Sequence, residues 1–304
     1  MSTSLPVRDV ATVNGSKTVF WQYAIDTAPR RDDNVSVVLV HGFRGDHHGL
    51  EAIASQVNAH RVIVPDLPGF GESDALTNGN SSVPHSLENL AQWLAHFIAQ
   101  VTTGRVILVG HSFGTLVVAA ALKFGAAADR IVLINPISSP ALKGPRGALS
   151  KLALGYYRLG RHLPHRLGMG LLRHPFIVRV MSGVMTKTTD KELQSWIHRE
   201  HHTHFSSFSD RKSLYEAFES SISHTVTEYA GFFNAPTSII AADRDDITPL
   251  SAQLMLQKII PQSTLIVVPH VGHLIHYEEP ITVSKEINRL VSNLTNDVLD
   301  HGAL

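Results

Sequence analysis

The stretch Val106-Ile-Leu-Val-Gly110-His111-Ser112-Phe113-Gly114 limits what this chain can fold into more than any other. Four apolar, β-favouring residues run straight into a turn of alternating glycines and large residues with serine at its centre. Thr115 to Leu122 then reads as a buried helix of small and apolar residues. A strand that reverses so sharply into a helix forces its turn residue into a strained backbone conformation. Gly110 and Gly114 carry no Cβ, so strand and helix can approach closely. Ser112, between them, projects its hydroxyl out of the turn, which is the nucleophile-elbow pattern G-x-S-x-G.

The flanking sequence supplies the sheet that such a turn needs. Residues 7–26 alternate about Asn14-Gly15, the strongest short hairpin signal. Val35 to Val40 is a continuous β-branched and apolar run, expected of a strand buried on both faces. It ends in the glycine-rich loop His41-Gly42-Phe43-Arg44-Gly45. Gly49 to Ala59 reads as a short helix, and Arg61 to Pro65 as the next buried strand. That strand ends in Asp66-Leu67-Pro68-Gly69-Phe70-Gly71-Glu72-Ser73. Residues 76–85 are polar and turn-like. Ser86 is the expected N-cap of a helix with Leu87, Leu90, Ala91, Leu94, Phe97 and Ile98 at helical spacing. Further strands are expected at Ile131–Ile134, Thr237–Ala241 and Leu265–Val268. Helices at 250–259 and 280–294 open on Pro249 and Pro280.

Strands alternating with helices imply an α/β fold: a mainly parallel sheet with helices on both faces, and the opening hairpin antiparallel at one edge. Working groups in such sheets collect at the carboxyl ends of the strands. Residues 137–230 break the alternation. From Ile131 to Thr189 there is no Asp or Glu, while Lys143, Arg146, Lys151, Arg158, Arg161, Arg166, Arg173, Arg179 and Lys187 fall inside that span among many apolar residues. The division expected is a core of residues 1–136 and 231–304 with a helical cap of residues 137–230 over the active face.

A serine hydroxyl is a poor nucleophile at neutral pH. It needs a base within hydrogen-bond reach, and the base needs a group to orient it and to support its positive charge. Asp243, Asp245 and Asp246 follow the strand Thr237–Ala241; Asp245 is chosen, with Asp243 its main competitor. His273, in Val271-Gly272-His273-Leu274 just past the last strand, is the expected base, ahead of His270 and His276. Attack on an ester or amide puts negative charge on the carbonyl oxygen, and backbone N–H groups must already point at it. The natural donors are the amides of Phe43 and Phe113. His41, His111, Asp66, Glu72 and Ser73 are read as groups that shape the loops.

With these residues in view, the chain resembles the α/β-hydrolase superfamily of the capped serine-hydrolase type. The matching residues are His41-Gly42-Phe43, the run Asp66 to Ser73, Gly110 to Gly114, Asp245 with Pro249 four residues on, and Gly272-His273 followed by Glu279-Pro280. The proline after Asp245 is a family feature and supports Asp245 over Asp243. The resemblance implies a serine hydrolase cleaving a carboxylic ester with a hydrophobic acyl part, through an acyl-enzyme. Serine at the elbow, where related epoxide hydrolases and dehalogenases carry aspartate, argues against those activities. Leu274 stands where relatives that cleave carbon–carbon bonds often carry Trp, which weakens that alternative. Haloperoxidase-like or perhydrolytic chemistry on the same triad is a second alternative, and a ligand receptor on the same scaffold a third.

Composition narrows the rest. The 304 residues are 43% hydrophobic and carry zero formal net charge, so the whole molecule offers no argument for nucleic-acid binding. With no cysteine there is no thiol nucleophile, disulfide scaffold or thiolate metal site. His201, His202 and His204 cluster, but no pair stands at zinc-protease spacing; neither a metal nor another cofactor is expected. Met1 to Val10 carries Arg8 and Asp9 and no apolar run of signal-segment length, no stretch reaches the ~18 apolar residues of a membrane span, and a cytoplasmic location is expected. The basic cap reads first as a solvated face; the sharper reading is that it draws in an anionic or lipid-like ester or rests on an anionic lipid surface.

Overall fold

The computed structural model describes residues 5–23, 34–79, 81–140 and 147–301. Eight strands form one sheet: β1 (Val7–Val13), β2 (Ser16–Tyr23), β3 (Val35–Val40), β4 (Arg61–Pro65), β5 (Arg105–His111), β6 (Arg130–Ile134), β7 (Thr237–Ala242) and β8 (Ser263–Val268). Their order across the sheet is β1-β2-β4-β3-β5-β6-β7-β8. From β4 to β8 all neighbours are parallel, while β1 and β2 are antiparallel at one edge. The hairpin turns on Asn14 and Gly15, both at positive φ (54° and 94°), as a two-residue primed turn requires. Residues 24–26 of the alternating segment lie outside the described residues.

Every residue of β3, β4 and β7 is buried, because helices cover both faces of the sheet. One face packs on α1 (Leu87–Val101) and α2 (Phe113–Lys123) through Leu90, Leu94, Phe97, Leu116 and Val117. The other packs on the C-terminal helix through Val283, Ile287, Leu290 and Leu294. Ser86 caps α1 as expected, its hydroxyl accepting from the Asn89 amide at 3.3 Å.

The 49–59 segment holds less helix than expected: a 3-10 turn over His47–Leu50 and one α-turn over Glu51–Ala54. The start is set by Asp46, whose carboxylate accepts from the His48 amide. The C-terminal helix is longer than expected and runs over Pro280–His301.

Between β6 and β7 lie α3 (Gly147–His162), α4 (His165–Leu172), α5 (Pro175–Met185), α6 (Lys191–His204) and α7 (Arg211–Ser223). Lys143 and Arg146 lie outside the described residues. These helices touch the core at the carboxyl ends of β3, β4 and β8. Gly71 N–H donates to Ser207 O at 2.8 Å, Phe70 bridges to Phe208, and Glu278 accepts from the Lys187 and Thr188 amides at 2.5 and 2.8 Å. The chain re-enters the core at Val226, which is buried and donates to Ile137 O at 2.8 Å.

Candidate active site

The turn after β5 carries Ser112 at φ 51° and ψ −117°, a conformation that costs a non-glycine residue ~1–3 kcal/mol and has to be held by its surroundings. Ser112 N–H donates to Ile134 O at 3.0 Å, and Ser112 O accepts from the Thr115 amide and hydroxyl. The flanking glycines are dictated by contact. A Cβ on Gly114 would lie 2.2 Å from Val40 O, and one on Gly110 would lie 2.7 Å from Gly114 O. The start of α2 is thus pressed against the end of β3.

His273 sits in the loop after β8. Its Nε2 is 2.8 Å from Ser112 Oγ, and its Nδ1 is 2.8 Å from Asp245 Oδ2. All three side chains are nearly buried. Asp245 lies in the turn after β7, where its Oδ1 accepts from the Ile247 and Thr248 amides at 2.7 and 2.9 Å. Burial alone would raise the Asp245 carboxyl, but the neighbouring His273 and the hydrogen bonds from His273 and Thr248 outweigh it and hold the group below its ordinary value. An ionised carboxylate on Nδ1 keeps the proton there and leaves the Nε2 lone pair facing the serine hydroxyl.

The competing residues do other things. Asp243 Oδ1 accepts from the His270 amide at 2.7 Å, and Asp246 pairs with Lys187 at 2.6 Å. His270 is exposed at φ 67° with its ring beside Arg244. His276 is buried behind His111, with ring centroids 4.1 Å apart. Burial, and after it the neighbouring His273 ring, push the His111 imidazole down to about 3, and burial also lowers His276. Both therefore stay neutral near His273.

Phe113 is the first residue of α2, so its amide lies at the positive end of that helix dipole. The loop bearing Phe43 rests on the same turn. A Cβ on Gly42 would touch His111 Nδ1 at 3.1 Å and Ser112 Cβ at 3.3 Å, and the Phe43 and Phe113 rings meet edge to face at 6.4 Å. Phe43 also contacts Phe70, Tyr157 and Phe218 at 5.5–6.1 Å, so aromatic rings from the core and from α3 and α7 gather around Phe43. A separate groove of about 470 Å³ between α1 and α7, lined by Leu87, Lys123, Glu216 and Tyr229, contains none of Ser112, Asp245 and His273.

The loop-shaping assignments hold for most residues. His41 Nε2 accepts from the Leu67 amide at 2.9 Å, and Nδ1 donates to Gly42 O at 2.8 Å. Asp66 accepts from the amides of His47 and Glu72, both at 2.8 Å, and Ser73 Oγ donates to Asp66 O. Glu72 is different: its side chain reaches out to Arg8 at 2.8 Å on the surface.

Three buried residues that work around the site went unrecognised in the sequence. Asn135, at φ 45°, donates from Nδ2 to the carbonyls of Gly272 and His273 and accepts at Oδ1 from the Ala242 amide. Glu278 Oε2 accepts from the Gly272 amide at 2.6 Å. Arg44 is buried and spends its donors on Phe205 O, Leu172 O and the Tyr157 hydroxyl. The signal for Asn135 was its place between a strand and Pro136; Glu278 and Arg44 carried none. Gly272 is required by close packing. A Cβ there would meet Lys187 Cγ at 2.4 Å and Met185 O at 2.8 Å, so it is the end of α5 that demands glycine.

Comparison with known proteins gives a consistent picture. Residues 37–286 match the model of the Alpha/beta hydrolase family. The chain is 24% identical over 264 residues to the uncharacterized hydrolase YugF of Bacillus subtilis, covering 83% of this chain and 88% of that protein. It is 23% identical over 283 residues to Lipase 1 of Psychrobacter immobilis, covering 89% and 79%. Among solved structures, a thermophilic esterase from Thermogutta terrifontis superposes with a TM-score of 0.73 at 23% identity, covering 95% of this chain and 99% of that one.

Proposed function

The chain belongs to the alpha/beta hydrolase family, and from that premise we propose that it is a serine hydrolase of carboxylic esters acting through Ser112, His273 and Asp245. Ser112 Oγ attacks the acyl carbon while His273 Nε2 takes the hydroxyl proton. The oxyanion is received by the amides of Phe43 and Phe113. His273 then gives its proton to the departing alcohol, leaving an acyl-serine. Water attacks that ester with His273 again as base, and the carboxylic acid leaves as Ser112 regains its proton. Asp245 stays ionised throughout and holds Nδ1–H.

The observation that carries this reading is the unbroken relay of two 2.8 Å contacts from Asp245 through His273 to a serine in a strained turn. The two lipase relatives support a carboxylic ester as the substrate. In this reading residues 137–230 are the cap, and the rings around Phe43 line the acyl side of the site.

The preferred ester is hydrophobic and is met at an anionic lipid surface. Leu152 and Phe176 are 71% and 70% exposed, and Leu159, Leu167, Val180 and Val184 are exposed along α3, α4 and α5, a stretch that also carries Lys151, Arg158, Arg166, Arg173 and Arg179. Apolar side chains interleaved with cations and free of acids complement an anionic bilayer face. Hydrolysis of p-nitrophenyl esters of graded chain length by the wild type and Ser112→Ala tests the chemistry. Turnover should fall ~10⁴-fold in the variant. Equal rates would refute it, and turnover confined to a vinylogous diketone or to halide with peroxide would transfer the triad to another reaction.

A further inference from the structure

Among the described residues, imidazoles also gather away from the Ser112 site. The loop after β3 continues into Asp46-His47-His48, and α6 ends in His204. The rings form a column: Trp21 on His47 with centroids 3.2 Å apart, His47 by His48 at 3.8 Å, and His48 by His204 at 3.7 Å. A nearly buried carboxylate stands beside it. Asp46 Oδ1 is 3.1 Å from His48 Nδ1, and Asp46 Oδ2 is 3.7 Å from His204 Nδ1. Asp46, His47 and His48 each offer a ligand atom, all within 4.8 Å of one another.

We propose that Asp46, His47, His48 and His204 form a binding site for a divalent transition-metal ion of the zinc class. Asp46, His47 and His48 hold donor atoms within 4.8 Å of one another, and His204 Nδ1 lies 3.7 Å from Asp46 Oδ2; ligation breaks the 3.1 Å hydrogen bond between His48 and Asp46 and turns the stacked rings until their nitrogens lie about 3.3 Å apart around the ion. Three imidazoles and one carboxylate are the ligand chemistry that zinc, cobalt and nickel share. Two further carboxylates stand near, one of them within hydrogen-bond distance. Glu200 Oε2 lies 3.8 Å from His204 Nε2, on the ring nitrogen opposite the one that faces Asp46. His47 Nδ1 lies 3.1 Å from Asp66 Oδ1. Carboxylates set against the second nitrogen fix the tautomer and orientation of ligating histidines.

The site differs from a catalytic zinc-protease motif, because its ligands come from a core loop and from a helix of the β6–β7 insertion. That is why spacing along the chain gave no sign of it. An ion there pins α6 to the loop that carries Phe43 and Arg44, and its role is structural: it fixes how the helices sit on the core. It is independent of the Ser112 chemistry.

The test uses untagged full-length protein stripped with EDTA. Calorimetric titration with Zn²⁺ should give one equivalent at micromolar affinity or tighter, and Co²⁺ should give the visible absorption of a tetrahedral site. The thermal midpoint should rise by ~5 °C in saturating Zn²⁺. His204→Gln and His48→Gln, each folded as judged by circular dichroism without metal, should weaken binding by ~100-fold or more and abolish the thermal shift. His202→Gln, on the exposed side of the same helix turn, should leave both intact, as should Ser112→Ala. No binding at 100 µM Zn²⁺, or binding that survives both His204→Gln and His48→Gln, would overturn the proposal.

Discussion

The side-chain amide of Asn135 holds the backbone of His273: Asn135 Nδ2 lies 3.2 Å from His273 O and 3.2 Å from Gly272 O. The same side chain accepts from the Ala242 amide at 2.8 Å, and the Asn135 amide donates to Ile240 O at 2.8 Å. One residue at the end of β6 therefore ties the end of β7, from which Asp245 hangs, to the turn that presents the imidazole. Asn135→Asp keeps the size and the acceptor but loses the Nδ2 donor and sets an acid against two carbonyls. Turnover should fall ~10–100-fold with KM little changed, because misplacing a base by a fraction of an ångström affects the reaction more than binding. An unchanged kcat for this variant would show that His273 is held in place without it.

The three neighbouring acids can be separated by kinetics. Asp245→Asn removes the anion that fixes the His273 tautomer and should lower kcat by ~10⁴-fold. Asp246→Asn breaks a surface pair with Lys187 and should stay within about twofold of wild type. If Asp243→Asn fell as far as Asp245→Asn in an ester assay, the orientation role would have to be shared.

Glycine substitutions should divide sharply by what surrounds them. Gly114→Ala drives a methyl group into Val40 O, a backbone atom that cannot move aside, and should cost several kcal/mol of stability or prevent folding. A Cβ on Gly155, within α3, meets nothing within 4 Å, so Gly155→Ala should gain ~0.5–1 kcal/mol from helix propensity. Urea unfolding of the two variants beside wild type measures both signs.

Acid should destabilise the protein well above the carboxylate range. Burial is the largest cause lowering His41, His85, His111 and His276, His85 to about 4 and His111 to about 3. Below about 6.5 an unfolded chain protonates these rings while the folded chain does not. The unfolded state then binds more protons, so stability is complete above about pH 6.5 and falls as pH drops toward 4, by up to about 1.4 kcal/mol per pH unit for each group. Asp245 adds to the loss only lower down, as pH falls through its depressed folded value. The urea midpoint should hold steady from pH 7 to 8 and drop steeply from 6.5 to 4.5. A flat midpoint over that lower interval would mean that the histidines gain their protons without unfolding.

Most of the architecture could be read from the residues because one rule governs it. Strands buried on both faces need unbroken apolar runs, and Val35–Val40, Arg61–Pro65 and the run into Gly110 stand out against amphipathic helices. Ser112 and His273 were legible for a local reason: each sits in a glycine-marked turn directly after a strand. Asp245 needed the proline four residues on to separate it from its neighbours. Glu278 and Arg44 were not legible, since each acts through partners distant in sequence and carries no local pattern, and Asn135 showed only its place between a strand and Pro136. The Asp46–His204 cluster is the extreme case, because the topology alone brings its two segments together.

Vesicle binding tests the basic, acid-free helices. Co-sedimentation with phosphatidylglycerol vesicles should exceed that with phosphatidylcholine and weaken as salt rises from 50 to 300 mM. Phe176→Ser combined with Leu152→Ser should reduce it further without changing turnover of a short soluble ester. Equal sedimentation with neutral and anionic vesicles would remove charge from the account.

The central claim is tested most directly by trapping the nucleophile. Wild-type protein treated with a fluorophosphonate and analysed by intact mass and peptide mapping should gain one adduct, on Ser112, and lose ester turnover in proportion. His273→Ala should label at least ~10³-fold more slowly, because the hydroxyl then has no base. Labelling that fails on active wild-type enzyme, or that falls on another serine while Ser112 stays free, would contradict the account.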